Sequence, residues 1–149
     1  MTKLSSILGD TSAIRTRTFQ IGGIDFRVRV PLSSEIDAMN QRIDLISKEE
    51  AEDRYKKAIE GLSEGEDVKF VDGDVLVGER SARDIAVTAI KAERRILEFV
   101  KLIVPSGGGT MDDLTYADIE SEWPFAIQLE ILNKIVEAIQ PGFEGQRKN

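Results

Sequence analysis

The chain has 149 residues, 41% of them apolar and 32% charged, which is the composition of a folded globular protein and not of a disordered one. It contains no cysteine and no histidine, which excludes disulfides, thiolate nucleophiles, histidine-based catalytic triads and the usual zinc sites. The net charge of −7 arises in residues 63–149, because residues 1–62 are balanced. An acidic chain without a basic stripe predicts no nucleic-acid binding.

The length predicts one domain over residues 1–149, with mobile tails at residues 1–13 and 142–149. The first ten residues lack the pattern of a signal peptide, and no apolar run is long enough to span a membrane. These features fit a cytosolic protein.

The first predicted element is a β-hairpin. Residues 15–21 and 24–30 flank Gly22-Gly23, a two-residue loop that suits a primed turn. This loop pairs Phe19 with Phe26 and places the apolar residues on one face of the hairpin. Arg27 and Arg29 alternate on the other face, which we interpret as a solvated strand surface in preference to an anion site.

Two polar helical segments are predicted next. Ser33 or Ser34 can cap a helix that carries Ile36, Met39, Ile43 and Ile46 at helical spacing. Ser47 begins a second capping sequence, so we expect either a break near residues 46–48 or one helix that continues to about residue 62.

A second hairpin is predicted around Asp72-Gly73, with Phe70 paired to Val75 and Val68 to Val77. It is too short to be stable alone, and the first hairpin is one candidate for the strand beside it. Ser81 then caps a helix over residues 82–104, which Pro105 ends. Its apolar stripe is rich in alanine at the start and bulky at the end, and its shortness favours an internal core over a coiled coil.

The last pattern in the sequence covers residues 111–140 and has two different halves. Its first half has five acidic residues and no basic one, namely Asp112, Asp113, Asp118, Glu120 and Glu122. No calcium-loop spacing is present, so a solvated acidic surface is favoured over a metal site. A short helix is predicted from Thr115 to Ser121, and a strongly apolar helix from Pro124 to Gln140.

Together these elements predict an α+β fold that is mainly helical, with three to four helices and one or two β-hairpins. The acidic segment followed by an apolar helix predicts a protein-binding surface formed by Trp123, Phe125, Leu129 and Leu132, in a groove between residues 96–104 and 124–139 that takes an amphipathic helix. The alternative is that all four residues are internal core. We predict no catalytic residue, cofactor or metal.

The order of these elements resembles a known family. A strand reading IGGIDFRVRVPL over residues 21–32 is followed by a polar helix and a long helix ending at Pro105, then by LTYADI over residues 114–119 and WPFAIQLEILNKI over residues 123–135. Over residues 15–140 this layout resembles the tail assembly chaperones of long-tailed bacteriophages. The resemblance implies a non-enzymatic protein of the host cytoplasm that binds the tape measure protein and recruits tail tube subunits.

Two further readings stay open. A structural virion subunit of the tail or head–tail connector would use the hairpins as edge strands for contacts between subunits. A carboxylate-dependent metal enzyme is the remaining alternative. Self-association through the apolar surface is also expected when no client protein covers it.

Overall fold

The computed structural model describes residues 3–140. In chain order the elements are helix α1 (Leu4–Leu8), a 3-10 helix (Ser12–Arg15), β1 (Thr16–Ile21), β2 (Ile24–Arg29), α2 (Ser33–Asp44), α3 (Lys48–Ile59), β3 (Val68–Val71), β4 (Asp74–Val77), β5 (Arg80–Ser81), α4 (Ala82–Val100), α5 (Tyr116–Glu122) and α6 (Phe125–Ile139). The predicted α+β class is confirmed. The described residues form six α-helices instead of three to four, because the polar segment after Pro31 divides into two helices and α1 was not predicted.

Both predicted hairpins are present with the predicted registers. In β1–β2, Ile21 pairs with Ile24 and Phe19 with Phe26, and the two phenylalanine rings stack with their centroids 5.1 Å apart. In β3–β4, Phe70 pairs with Val75. Gly22, Gly23 and Gly73 have positive φ, which is the backbone conformation that these tight turns require.

The described residues divide into two compact units. Unit 1 comprises residues 3–38 and 96–140, and unit 2 comprises residues 39–95. Each unit is compact, but compactness does not establish whether a unit folds by itself. The single domain predicted for residues 1–149 therefore stays a prediction.

Unit 1 is built on the first hairpin. Helix α6 packs against β1 and β2 and buries Gln128, Ile131, Leu132, Ile135 and Ile139. The free edge of β2 is covered by residues 102–104, where the Arg29 N–H donates to the Leu102 carbonyl at 2.9 Å and the Val104 N–H donates to the Arg27 carbonyl at 2.8 Å.

This pairing corrects the predicted helix over residues 82–104, which ends at Val100. Residues 102–104 carry the apolar side chains expected of a longer helix, yet they run alongside β2, with Val28 and Ile103 as bridge partners. Two physical causes act together. A residue that precedes proline avoids the helical region, and the strand edge offers hydrogen-bond partners to the extended backbone.

Unit 2 contains the second hairpin, extended by β5 into a three-stranded sheet of order β3-β4-β5. The first hairpin, considered above as a neighbour, belongs to a separate sheet. One buried cluster of unit 2 consists of Tyr55, Val75, Ala82 and Ala86, and Met39, Ile43 and Ile90 are buried in the same unit. The break between α2 and α3 is confirmed, because Ser47 caps α3 by accepting from the Glu50 N–H at 3.1 Å.

The predicted tails have different outcomes. Residues 4–8 and 12–15 form short helices without buried residues, so their mobility stays a prediction. The tail predicted at residues 142–149 lies outside the described residues.

Candidate functional site

Helix α5 begins with a capping box, as predicted. The Asp118 N–H donates to the Thr115 Oγ1 at 3.3 Å, and the Thr115 N–H donates to the Asp118 carboxylate at 3.0 Å. At the other end, the Trp123 N–H donates to the Ile119 carbonyl at 2.9 Å. Both ends of α5 are therefore fixed by local hydrogen bonds, although the helix has only seven residues.

A buried hydrogen-bond network holds the start of α6. Gln128 is 1% exposed, its Nε2 donates to the Trp123 carbonyl at 2.8 Å, and its Oε1 accepts from the Tyr116 hydroxyl at 2.7 Å. A buried amide without partners would be strongly destabilising, so this network favours one arrangement of α5, Trp123 and α6. Sequence reasoning missed Gln128; the one available signal was a polar residue inside an otherwise apolar stretch.

The four predicted partner-binding residues differ in exposure. Phe125 is 51% exposed and Leu129 is 39% exposed, whereas Leu132 is 8% exposed and Trp123 is half-buried. The alternative that all four are core residues therefore fails for Phe125 and Leu129 within this chain. Their role in binding stays a prediction.

Phe125 and Leu129 lie one helical turn apart on the same side of α6, and Leu132 continues that side toward the buried face. We call Phe125, Leu129 and Leu132 the α6 stripe. The stripe is therefore an exposed apolar surface that is continuous, through Leu132, with the buried face of the helix.

Several acidic side chains lie on α6 and on the segment that precedes it. Glu122 precedes the helix, and the exposed Glu130 and Glu137 lie on the solvent side of α6. The five acidic residues of the 112–122 segment are all exposed. Asp118 is engaged in the cap, and Asp112 accepts from the Thr110 hydroxyl at 2.9 Å. The exposed charged residues of α6 are thus Glu130 and Glu137 against one cation, Lys134, and the segment before the helix is acidic.

The predicted groove between residues 96–104 and 124–139 needs a correction. Residues 101–104 are not helical, and the strand-like part of this segment lies on the edge of β2. A groove formed by two helices cannot extend along residues 101–104. The large apolar side chains that α6 exposes are Phe125, Ile127 and Leu129.

The described residues contain no group of three or more acidic side chains placed to hold a metal ion. No helix among residues 3–140 combines the length and the apolar character needed to cross a membrane.

The chain was compared with models of protein families, with curated proteins and with solved structures, and none of the three comparisons gave a match.

Proposed function

We propose that the chain is a non-enzymatic assembly chaperone that binds an amphipathic helix of a client protein on the α6 stripe. The observation that carries this proposal is the exposure of Phe125 and Leu129 on a helix whose other face is firmly buried. Apolar side chains exposed side by side on a rigid element are typical of sites where a partner helix docks.

The charges around the stripe specify the client further. Glu122, Glu130 and Glu137 favour a client helix that carries lysine or arginine beside its apolar face. Because such charges lie at the rim, they contribute more to the association rate and to selectivity than to affinity.

The layout of the chain, which resembles the tail assembly chaperones of long-tailed bacteriophages, supplies the client class. On this proposal the client is the tape measure protein, whose long apolar helices need protection before assembly, and tail tube subunits are recruited to the complex. The site of action is the host cytoplasm. Self-association through the α6 stripe covers it when no client is bound.

The test is co-expression with the tape measure protein followed by affinity capture, with Phe125→Gln as the main variant. The matched control is Phe70→Gln, because Phe70 is 52% exposed and lies on β3 in unit 2. We expect Phe125→Gln to abolish retention of the client and Phe70→Gln to leave it unchanged. Absence of any tape measure or tube protein at low salt, or equal loss in both variants, would refute the proposal.

A structural virion subunit is the second candidate, and β3 favours it. This strand lies at the edge of its sheet and presents the exposed side chains of Phe70 and Val71 to another subunit. Part of its backbone edge is already paired within the chain, because the Phe70 N–H donates to the Glu64 carboxylate at 3.3 Å and the Gly65 N–H donates to the Val68 carbonyl at 2.9 Å. Mass spectrometry of purified mature particles separates the two functions. A structural subunit is present in fixed copy number and is lost from particles by Phe70→Gln, whereas a chaperone is absent from them.

A further inference from the structure

Unit 1 contains a pocket of about 370 Å³ on the polar side of the first hairpin. Four cationic side chains line it, namely Arg15, Arg27, Arg29 and Lys101. This concentration of positive charge is unexpected in a chain whose net charge is −7.

The backbone pairing explains how the cations meet. Arg27 and Arg29 alternate on one face of β2, and Arg29 is opposite Thr16, which follows Arg15 directly. On the other edge of β2, the Arg29 N–H donates to the Leu102 carbonyl, and this pairing brings the neighbouring Lys101 close to the strand. Residues distant in the sequence are thereby held on one concave surface.

Two of the four cations are partly neutralised. Arg15 and Arg29 both donate to the Glu35 carboxylate, at 3.1 Å and 2.6 Å. The Arg29 hydrogen bond holds the pKa of Glu35 below its usual value, so this carboxylate is ionised at neutral pH. The single Glu35 carboxylate thus forms ion pairs with both guanidinium groups.

The other two cations have no such partner. Within residues 3–140, neither the Arg27 side chain nor the Lys101 side chain makes a hydrogen bond or an ion pair. Asp112 is the acidic side chain on the pocket wall, and it is engaged by Thr110. With Glu35 and Asp112 counted against the four cations, positive charge remains in excess.

The pocket also has the other features of a small-molecule site. Ser12 and Thr16 add polar residues to the lining, where the Thr16 hydroxyl donates to the Ser12 carbonyl at 3.0 Å, and Leu102 and Val104 provide an apolar wall. Gly109 contributes backbone with a φ of +84°, a conformation that a larger side chain would strain. A volume of this size matches that of pockets for small ligands.

We propose that this pocket binds the phosphate group of a small phosphorylated molecule, with Arg27 and Lys101 as its principal contacts. Arginine presents a planar fork of donors to phosphate oxygens, and lysine adds a point charge. Arg15 and Arg29 add to the positive electrostatic potential of the pocket, and their ion pairs with Glu35 fix the positions of the two guanidinium groups. The apolar wall receives the organic part of the ligand.

The test uses the full chain, with inorganic phosphate and pyrophosphate as probes in isothermal titration calorimetry at constant ionic strength. We expect saturable binding of one anion per chain, and tighter binding of pyrophosphate. Arg27→Gln and Lys101→Gln should each weaken binding by about tenfold or more, because each removes a charge-assisted hydrogen bond. Both variants should fold normally, since neither side chain has a partner to lose.

The matched control is Arg80→Gln, which removes an exposed strand arginine of unit 2 and changes the net charge equally. It should bind both probes like the unaltered chain. Absence of saturable binding, or an equal loss in Arg80→Gln, overturns the proposal. Phe125→Gln should bind pyrophosphate normally, so the outcome is independent of the client-binding test.

Discussion

The two units reach stability by different means. Unit 1 contains the largest fully buried side chains, among them Ile96, Ile131 and Ile135, together with Val28 and Val100. In unit 2 one buried cluster has a single large residue, Tyr55, beside Val75 and two alanines, and Met39, Ile43 and Ile90 are also buried. None of these side chains is among the largest fully buried ones, so unit 2 buries less apolar area in its core than unit 1.

Arginine side chains make several of the polar contacts within unit 2. Arg54 forms a two-pronged ion pair with Glu93, and the Arg83 guanidinium lies 3.9 Å from the centre of the Tyr55 ring while it also pairs with Glu52. Unit 1 therefore has a well-filled apolar core, and the apolar residues that α6 exposes are not the result of too few buried contacts. They belong to the unit with the larger core, which favours a functional reason for their exposure.

The largest expected effect is in the core of unit 1. Ile135→Ala should lower the free energy of unfolding by about 2–5 kcal/mol, because Ile135 is 0% exposed and its loss leaves a cavity. Urea denaturation measures the change, and Ile7→Ala, at a residue 64% exposed on α1, should cost less than about 0.5 kcal/mol. Equal costs in the two variants would contradict the distinction between core and surface in unit 1.

The second effect concerns the buried network at the start of α6. Gln128→Ala should cost about 1–3 kcal/mol, because the Trp123 carbonyl and the Tyr116 hydroxyl each lose the hydrogen bond to this buried amide. Tyr116→Phe removes the hydroxyl alone and should cost about 0.5–1.5 kcal/mol. If Gln128→Ala is no more destabilising than Tyr116→Phe, the hydrogen bond to Trp123 has no energetic role.

Much of the local structure follows from short-range chemistry. The turns at Gly22-Gly23 and Asp72-Gly73 need positive φ at glycine, so their positions and strand registers were predictable. The start of α3 at Lys48 was predictable for a similarly local reason, because the side chain of the preceding Ser47 accepts a hydrogen bond from the Glu50 N–H of the helix.

Contacts between distant segments were not predictable. The apolar spacing of α4 continues through Ile103 and Val104, and nothing in that spacing reveals the edge of β2 that takes residues 102–104 out of the helix. The same pairing brings Lys101 to the pocket that contains Arg27. At the candidate site, the residue types of the α6 stripe were predicted, but the division between the exposed Phe125 and the buried Leu132 depends on how α6 packs on the hairpin.

The third effect tests the role of arginine in unit 2. Arg94 donates to the carbonyl groups of Arg42 and Leu45 and to the Glu50 carboxylate, which joins the end of α2 to the start of α3. Arg94→Gln should cost about 1 kcal/mol, because these groups are only partly shielded from water. Hydrogen exchange should accelerate most at residues 42–47. A uniform acceleration throughout residues 39–95 would show that Arg94 supports the whole unit and not this connection.

The smallest expected effect is the pH dependence that Glu35 contributes to unit 1, the unit that otherwise relies on apolar burial. Its carboxylate accepts from Arg29, from the Leu32 N–H at 3.2 Å and from Arg15, and the Arg29 hydrogen bond is the main cause of its lowered pKa. Because the folded pKa lies below the unfolded value of 4.5, the unfolded chain binds the proton more tightly. The stabilisation is present above the unfolded pKa and is lost as the pH falls through the folded pKa.

Glu35→Gln should therefore lower the free energy of unfolding by about 0.5–1 kcal/mol at neutral pH, a value reduced by the partial exposure of the three side chains. The difference from the unaltered chain should shrink as the pH falls below 4.5 and through the lowered folded pKa of Glu35. Glu120→Gln, at an exposed position of α5, is the control and should alter stability little at either pH. A difference for Glu35→Gln that is constant with pH would mean that the carboxylate acts by packing and not by charge.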